Sequence, residues 1–258
     1  MAEFVIFEDS YLLVLNKPSG VIVNRSDTTR QMVTLQDLVE KHLKVSYPIP
    51  VVQKRQEGEY PSSEETFKER SGIVHRLDKE TSGIILVAKN AEVFGQLQKA
   101  FQEREVHKTY RALSHGNVVP KQGIISVPVG RLQFNRMRFG VVAGGRESLT
   151  EYIVIQTFIH PKTKEIFSWL ELYPKTGRTH QIRVHLKHIG HPIVGDELYA
   201  GRKTAKRDRK ELARLFLHAT EITFVHPVTK KEMSFHADLP DELQTYIDGL
   251  KPINVLAD

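Results

Sequence analysis

Two short apolar runs open the chain, Phe4-Val5-Ile6-Phe7 and Tyr11-Leu12-Leu13-Val14-Leu15, with Asp9-Ser10 between them. They predict two strands joined by a turn. Asn16-Lys17-Pro18-Ser19-Gly20 closes the second with strong turn chemistry. Thr34 is placed to cap a helix whose Leu35, Leu38, Val39 and Leu43 recur on one face. Residues 44–71 break this regularity. They hold three prolines, Gly58 and the polar run Ser62-Ser63-Glu64-Glu65, and they read as a long loop or insertion. The pattern resumes with Ile73-Val74-His75-Arg76-Leu77-Asp78, a turn at Thr81-Ser82-Gly83 and a strand Ile84–Ala88. A helix follows over 91–103, with Val93, Leu97, Ala100 and Phe101 on one side.

Strand patterns recur at 107–114, 123–127, 149–159 and 165–172. Alternation over Tyr152–Phe158 is only partial, which predicts a strand buried on both faces. Thr179 is the expected cap of a second helix carrying Ile182, Leu186 and Ile189, stopped by Gly190 and Pro192. Strands near 221–225 and 232–236 precede a final helix from about Asp241. No sequence repeat and no clean linker stand out. Strands outnumber helices and do not alternate with them regularly. The pattern therefore predicts a single α+β domain over 1–258, with a mixed, mainly antiparallel sheet, and not a doubly wound nucleotide-binding fold.

Composition narrows the chemistry. The absence of cysteine excludes disulfides, thiolate catalysis, iron–sulfur clusters and the usual structural zinc sites. The first residues show no basic stretch followed by an apolar run, so no signal peptide is expected. No run approaches the length of a membrane span. A soluble, cytoplasmic monomer is the expectation. The net charge of +6 leans toward a polyanionic partner.

Two segments concentrate reactive side chains. In His75-Arg76-Leu77-Asp78-Lys79-Glu80-Thr81-Ser82-Gly83, an acid flanked by cations sits in a loop that ends in a glycine turn. Loops on a rigid sheet are where catalytic groups collect. A lone Asp in such a place is more often a turn former bonding its own backbone. In Lys175-Thr176-Gly177-Arg178-Thr179-His180-Gln181-Ile182-Arg183-Val184-His185, a glycine turn leads into a helix start bearing two Arg and two His. Free N–H groups there suit an anion, although a plain solvated basic face accounts for the same residues. Arg183 falls at the margin of the apolar stripe, where it can reach inward to a carboxylate. His185 and His188 have a spacing that metals use, but Asp196 is the one nearby candidate for a further ligand and no H-E-x-x-H pattern occurs. No metal is expected. There is no P-loop and no G-x-G-x-x-G. H-R-L-D lacks the order of a kinase catalytic loop. The carboxylate pair Asp78 and Glu80 is poorly spaced for glycoside hydrolysis.

Taken in order, these segments resemble the RluA-type family of RNA pseudouridine synthases. The match covers nearly the whole chain. It runs through Val14-Leu15-Asn16-Lys17-Pro18-Ser19-Gly20, the H-R-L-D-x-x-T-S-G string at 75–83, and Lys108-Thr109-Tyr110-Arg111-Ala112. It continues with T-G-R-T-H-Q-I-R-V-H at 176–185 and Gly190-His191-Pro192-Ile193-Val194-Gly195-Asp196, and closes with Leu217-His218-Ala219 and His226-Pro227-Val228-Thr229. The resemblance implies a pseudouridine synthase catalytic domain that isomerises specific uridines in ribosomal or transfer RNA without cofactor or metal. It implies Asp78 as the catalytic nucleophile or base, Tyr110 as the active-site tyrosine and Arg183 as the basic partner of the carboxylate. Arg76, Arg178 and His180 are the expected RNA contacts. The target nucleotide must be flipped out or single-stranded to be reached. Many relatives carry an N-terminal S4-type RNA-binding domain. Here the pattern starts by Phe4, so recognition is expected to come from the catalytic domain or a partner. A non-catalytic RNA-binding module of the same fold and a small-molecule nucleoside hydrolase are the competing classes.

With RNA as the expected partner, the charge distribution acquires meaning. Residues 99–214 hold 22 Lys and Arg against 10 Asp and Glu, a net of +12, and 202–214 alone hold seven against two. A solvated helix face explains such a run equally well.

Overall fold

The structure is a computed structural model that describes residues 1–26, 32–47, 62–135 and 138–253. In chain order, after a 3-10 turn at Ala2–Phe4, the elements are β1 (Val5–Glu8), β2 (Leu12–Lys17), α1 (Leu35–Leu43), α2 (Ser63–Glu69), β3 (Ser82–Ala88) and α3 (Ala91–Gln102). Then come β4 (His107–His115), β5 (Gln122–Ser126), β6 (Val129–Arg131), β7 (Phe139–Val141), β8 (Leu149–Ile159), β9 (Ile166–Pro174), α4 (Gln181–His188) and α5 (Arg202–Asp208). The chain ends with β10 (Leu217–Val225), β11 (Glu232–His236), α6 (Asp241–Asp248) and β12 (Lys251–Ile253). Every pairing whose register is described is antiparallel, in keeping with the α+β expectation. The chain divides into two compact units, one of 1–106 with 222–237 and the other of 107–221 with 238–258.

In the first unit, β1 pairs β2, and β2 pairs β3 from Leu12↔Ala88 to Lys17↔Gly83. β3 is buried at every position and β2 at all but one, which is why both read as unbroken apolar runs. Leu12, Val14, Ile84 and Leu86 meet Phe94 and Leu97 of α3, Phe67 of α2, and Ile222 and Phe224. Asp9 makes the first turn by accepting the N–H groups of Tyr11 and Leu12 at 2.7 Å each. Thr34 caps α1 as expected, in a reciprocal box with Asp37. The buried side of α1 also carries Gln36 and Glu40. Glu40 takes a bidentate hydrogen bond from Arg25 and one from Ser71 Oγ.

Part of 44–71 departs from the loop expectation. Ser62 accepts the N–H of Glu65, whose carboxylate accepts the Ser62 N–H in return, and this capping box starts α2. The S-x-x-E signature was present in the polar run. It was masked because only Phe67 supplies an apolar anchor. Residues 48–61 lie outside those described. Gly72 follows α2 with φ +76°, and a Cβ there would sit 2.0 Å from the Ala88 carbonyl oxygen. No side chain fits that approach.

In the second unit, β4 pairs β9 and β9 pairs β8. β5 and β12 share the other edge of β8, along Leu149–Ile153 and Thr157–Ile159. β8 is not buried on both faces. Thr150, Tyr152 and Val154 point inward, while Ile153 and Ile155 are exposed. A bulge between Val154 and Gln156 then shifts the phase, so Thr157 is the next buried position. One extra residue reverses the parity of the rest of a strand, which is why the alternation looked incomplete. β6 and β7 form a separate two-stranded ribbon.

A short repeat escaped the sequence reading. His160-Pro161-Lys162-Thr163-Lys164 and His226-Pro227-Val228-Thr229-Lys230 build the same hairpin turn, one between β8 and β9 and the other between β10 and β11. In each, the His Nδ1 accepts the N–H groups two and three residues on. The lysine adopts positive φ, 62° and 58°, and its N–H returns to the His carbonyl at 3.0 Å. The Nε2 atoms face Glu211 and Asp9, respectively. Five residues are too few for a period to show.

Candidate active site

In the first unit the 75–83 segment is a loop entering β3. Leu77, Thr81 and Ser82 are buried, Asp78 is half-buried and Arg76 is exposed. Leu77 anchors the loop and leaves the neighbouring acid accessible. Asp78 is also a turn former, since its carbonyl accepts the Thr81 N–H at 3.1 Å. That bond uses the backbone carbonyl and not the carboxylate. His75 points back into the fold. Its Nε2 accepts the Leu86 N–H at 3.1 Å, and its ring lies 5.0 Å from that of Phe101.

The turn after β2 fastens this loop. The fully buried Lys17 Nζ donates to the carbonyls of Pro18, Val21 and Lys79 at 2.8, 3.0 and 3.1 Å. Ser19 Oγ donates to the Glu80 carbonyl at 2.8 Å, and the Gly20 N–H to the Lys79 carbonyl at 2.8 Å. Asn16-Lys17-Pro18-Ser19-Gly20 is thus more than a turn. It grips the two residues that follow Asp78. Sequence reading singled out the segment but could not assign the ammonium to a carbonyl 62 residues away.

The second unit holds Tyr110 and Arg183. Tyr110 is buried in β4, opposite Leu172 of β9. Strand alternation places Lys108 on the same face. Burial pulls the Lys108 ammonium down to about 8.

α4 differs from its expected start. Thr179 is not the cap. His180 is, with φ 58° and no side-chain capping bond. Gln181 does the work instead: its Oε1 accepts from the Arg178 N–H and Thr176 Oγ1, while its Nε2 donates to the Leu149 carbonyl and Thr150 Oγ1. A glutamine inside the first turn replaces the hydroxyl expected before it. Arg178 Nε donates to the Glu147 carbonyl at 3.1 Å. His180 is built into the fold through Nδ1, 2.9 Å from the Tyr199 hydroxyl. His185 is enclosed, and burial lowers its imidazole to about 4. Among the described residues no cluster of His, Asp and Glu has the form of a metal site.

Arg183 reaches inward to a carboxylate, as its position on the stripe suggested. The partner described is Asp196. Arg183 Nε and Nη2 donate to Asp196 Oδ2 and Oδ1, both at 2.8 Å, and the two side chains are 4% and 0% exposed. Asp196 Oδ1 also accepts the N–H groups of Leu198 and Tyr199. These bonds satisfy an ion pair that would be costly to bury otherwise. They fix the plane of the guanidinium. Gly195, just before Asp196, packs against the chain at Arg214: at φ +74°, a Cβ would lie 2.2 Å from the Arg214 carbonyl oxygen.

The basic run at 202–214 separates into two kinds of residue. Arg207 pairs with Glu165, Arg209 with Glu197 and Arg214 with Glu242. Arg202, Lys203, Lys206 and Lys210 are exposed. On a helix their spacing puts the first three along one side.

Residues 11–188 match the family model described as RNA pseudouridylate synthase. The chain is 34% identical, over 97% of its length, to the "Ribosomal large subunit pseudouridine synthase D" of serogroup A Neisseria meningitidis, and spans 62% of that protein. It is 35% identical, over 94% of its length, to "Uncharacterized RNA pseudouridine synthase YhcT" of Bacillus subtilis, spanning 72% of that protein. Its fold is similar to the solved "Human RNA Pseudouridylate Synthase Domain Containing 1", with a TM-score of 0.71 and 25% identity, covering 98% of this chain and 90% of that one. No described helix is long and apolar enough to cross a membrane. The H-R-L-D loop, the K-T-Y strand and the Q-I-R-V-H helix all lie within the matched residues, and this chain belongs to the RNA pseudouridylate synthase family.

Proposed function

We propose that this protein isomerises uridine to pseudouridine in RNA, with large-subunit ribosomal RNA as its substrate. The N1–C1′ bond breaks, the uracil turns, and a C5–C1′ bond forms. C5 loses a proton and N1 gains one, so the reaction is redox-neutral. The observation that carries the reading is Asp78. Asp78, half-buried, stands in a loop pinned immediately downstream by Lys17, Ser19 and Gly20. Such fixing suits a nucleophile or base that must meet a reacting atom in one geometry.

The other roles are contacts to the same substrate. Tyr110 offers a face to stack on the extruded uracil and a hydroxyl for proton transfer. Arg183 supplies a fixed positive charge. Arg76, exposed beside the loop, holds a backbone phosphate or the space the base leaves. Arg178 and His180 belong to the RNA-facing start of α4. The ribbon β6–β7 supports a nucleic-acid partner. Phe134, on the loop joining its strands, is fully exposed, with Arg131 and Arg138 on either side in sequence. Aromatic faces among cations are what unstacked bases bind. Ribosomal RNA is chosen over transfer RNA on the names of the relatives alone.

The test is release of tritium from [5-3H]uridine-labelled, unmodified large-subunit ribosomal RNA made by transcription. The wild-type protein is expected to release it, and Asp78→Asn is expected to lose product at least a thousandfold while binding the RNA. Undiminished turnover by the variant would remove Asp78 from its role. RNA binding without product from the wild-type protein would favour a non-catalytic binding module. Activity on free uridine with little salt dependence would favour a nucleoside enzyme.

A further inference from the structure

Tyr199 lies where three features of the second unit meet. Its ring stands under the Arg183 guanidinium, with Cζ 5.1 Å from the ring centroid. Its backbone N–H donates to Asp196 Oδ1 at 3.1 Å, the oxygen that also accepts Arg183 Nη2. Its hydroxyl accepts the backbone N–H of Phe139 at 3.0 Å and lies 2.9 Å from His180 Nδ1. Phe139 is the first residue of β7. Its ring is edge-on to His180 at 5.5 Å, and the Arg131 guanidinium of β6 covers it at 5.0 Å. Val129 and Val184 close the cluster around Tyr199.

We propose that Tyr199 is a positioning residue that couples the seating of the β6–β7 ribbon to the orientation of the Arg183 guanidinium. The inference rests on the reading of Arg183 as part of the active site. Asp196 holds the Nε–Nη2 edge of Arg183 and fixes its plane, and the Tyr199 ring backs one face of that plane. A guanidinium stacked on an aromatic ring in a dry site gains an attraction that a flexible aliphatic neighbour cannot supply. The hydroxyl contributes separately. The N–H of Phe139 is the ribbon's hydrogen bond to this ring, so a displacement of β7 pulls on the ring that supports Arg183. Binding of RNA along the ribbon then aligns the arginine, and the aligned arginine favours the bound position of the ribbon. Coupling of this kind is reciprocal.

Two variants separate the two contacts. Tyr199→Phe keeps the ring and removes the hydroxyl. Its expected effect is a threefold or greater rise in KM for the labelled ribosomal RNA, with kcat within twofold. Tyr199→Leu removes both, and kcat is expected to fall tenfold or more. Both are measured at a temperature where circular dichroism shows the variants folded, since loss of folded protein lowers apparent kcat and leaves KM unchanged. Placed on Arg183→Lys, Tyr199→Leu is expected to cost less than twofold further in kcat, because the residue through which it acts is already altered. Full additivity of the two substitutions, or kcat and KM within twofold of wild type in both single variants, overturns the proposal. Absence of product from the wild-type protein overturns the functional reading and this proposal with it. Product from the wild type with unchanged variants overturns the coupling alone.

Discussion

Lys17→Met replaces a fully buried ammonium with a thioether of similar length. The Lys79 carbonyl keeps the Gly20 N–H, but the carbonyls of Pro18 and Val21 each lose the donor that Lys17 supplied. Leaving a buried acceptor unsatisfied costs about 1–3 kcal/mol, so two cost about 2–6 kcal/mol. Removing the buried charge returns part of that, because the ammonium no longer has to be desolvated. A net destabilisation of about 2–4 kcal/mol follows, which for a chain of this size lowers the melting temperature by roughly 4–15 °C. The catalytic consequence is separate. The loop after Asp78 loses one of its three ties to the 17–20 turn, and misplacement by a fraction of an ångström is costly to a reacting carboxylate. At 25 °C, with the variant folded, kcat for tritium release is expected to fall at least tenfold while KM for RNA stays within threefold. Calorimetry and steady-state kinetics on the same preparation check both numbers. A wild-type melting temperature would refute the accounting of the three carbonyl bonds. A lowered melting temperature with wild-type kcat would show that the clamp holds the fold but not the carboxylate.

Two further predictions follow from titration and from charge. His185 is held neutral, its imidazole lowered to about 4 by burial. Because the folded value lies below the unfolded value of about 6.5, the stability it contributes is complete above pH 6.5. That contribution is lost as pH falls toward 4, up to about 3 kcal/mol. An NMR titration placing His185 near 6.5 would contradict this. Replacing Arg202, Lys203, Lys206 and Lys210 together by Gln is expected to raise KM for RNA, leave kcat within twofold, and flatten the dependence of log KM on log salt by about 1–3 units. An unchanged salt slope would make that side of α5 an ordinary solvated face.

Much of this molecule is local in origin and was legible in order along the chain. The runs at 12–15 and 84–88 and the capped stripe of α1 depend on neighbours a few residues away. The same holds for the strands at 107–114 and 149–159, and the structure keeps all of them. The H-R-L-D and Q-I-R-V-H strings were equally legible, because their residue types and spacing lie within ten positions. What failed did so where a short-range cue was outvoted or diluted. Ser62–Glu65 had capping chemistry but almost no apolar stripe. Thr179 had the right side chain, yet Gln181 made the bonds. The Val154 bulge shifted the phase of β8 in mid-strand, and no composition signals such a shift.

The amino-acid order by itself determined the class of fold and the family, and it nominated the side chains proposed to react, because each rests on periodicity or on compact strings. Only the tertiary structure decided what holds those side chains in place. It assigned the Lys17 ammonium to the loop of Asp78, gave the Arg183 fork to Asp196 and Tyr199, and divided the basic run into Arg207, Arg209 and Arg214, which pair internally, and the exposed cations of α5 and Lys210. The physical reason is desolvation. A charged group taken out of water must find partners wherever the packed chain presents them: Asp196 lies 13 residues from Arg183, and one of the three carbonyls that hold Lys17 lies 62 residues from it.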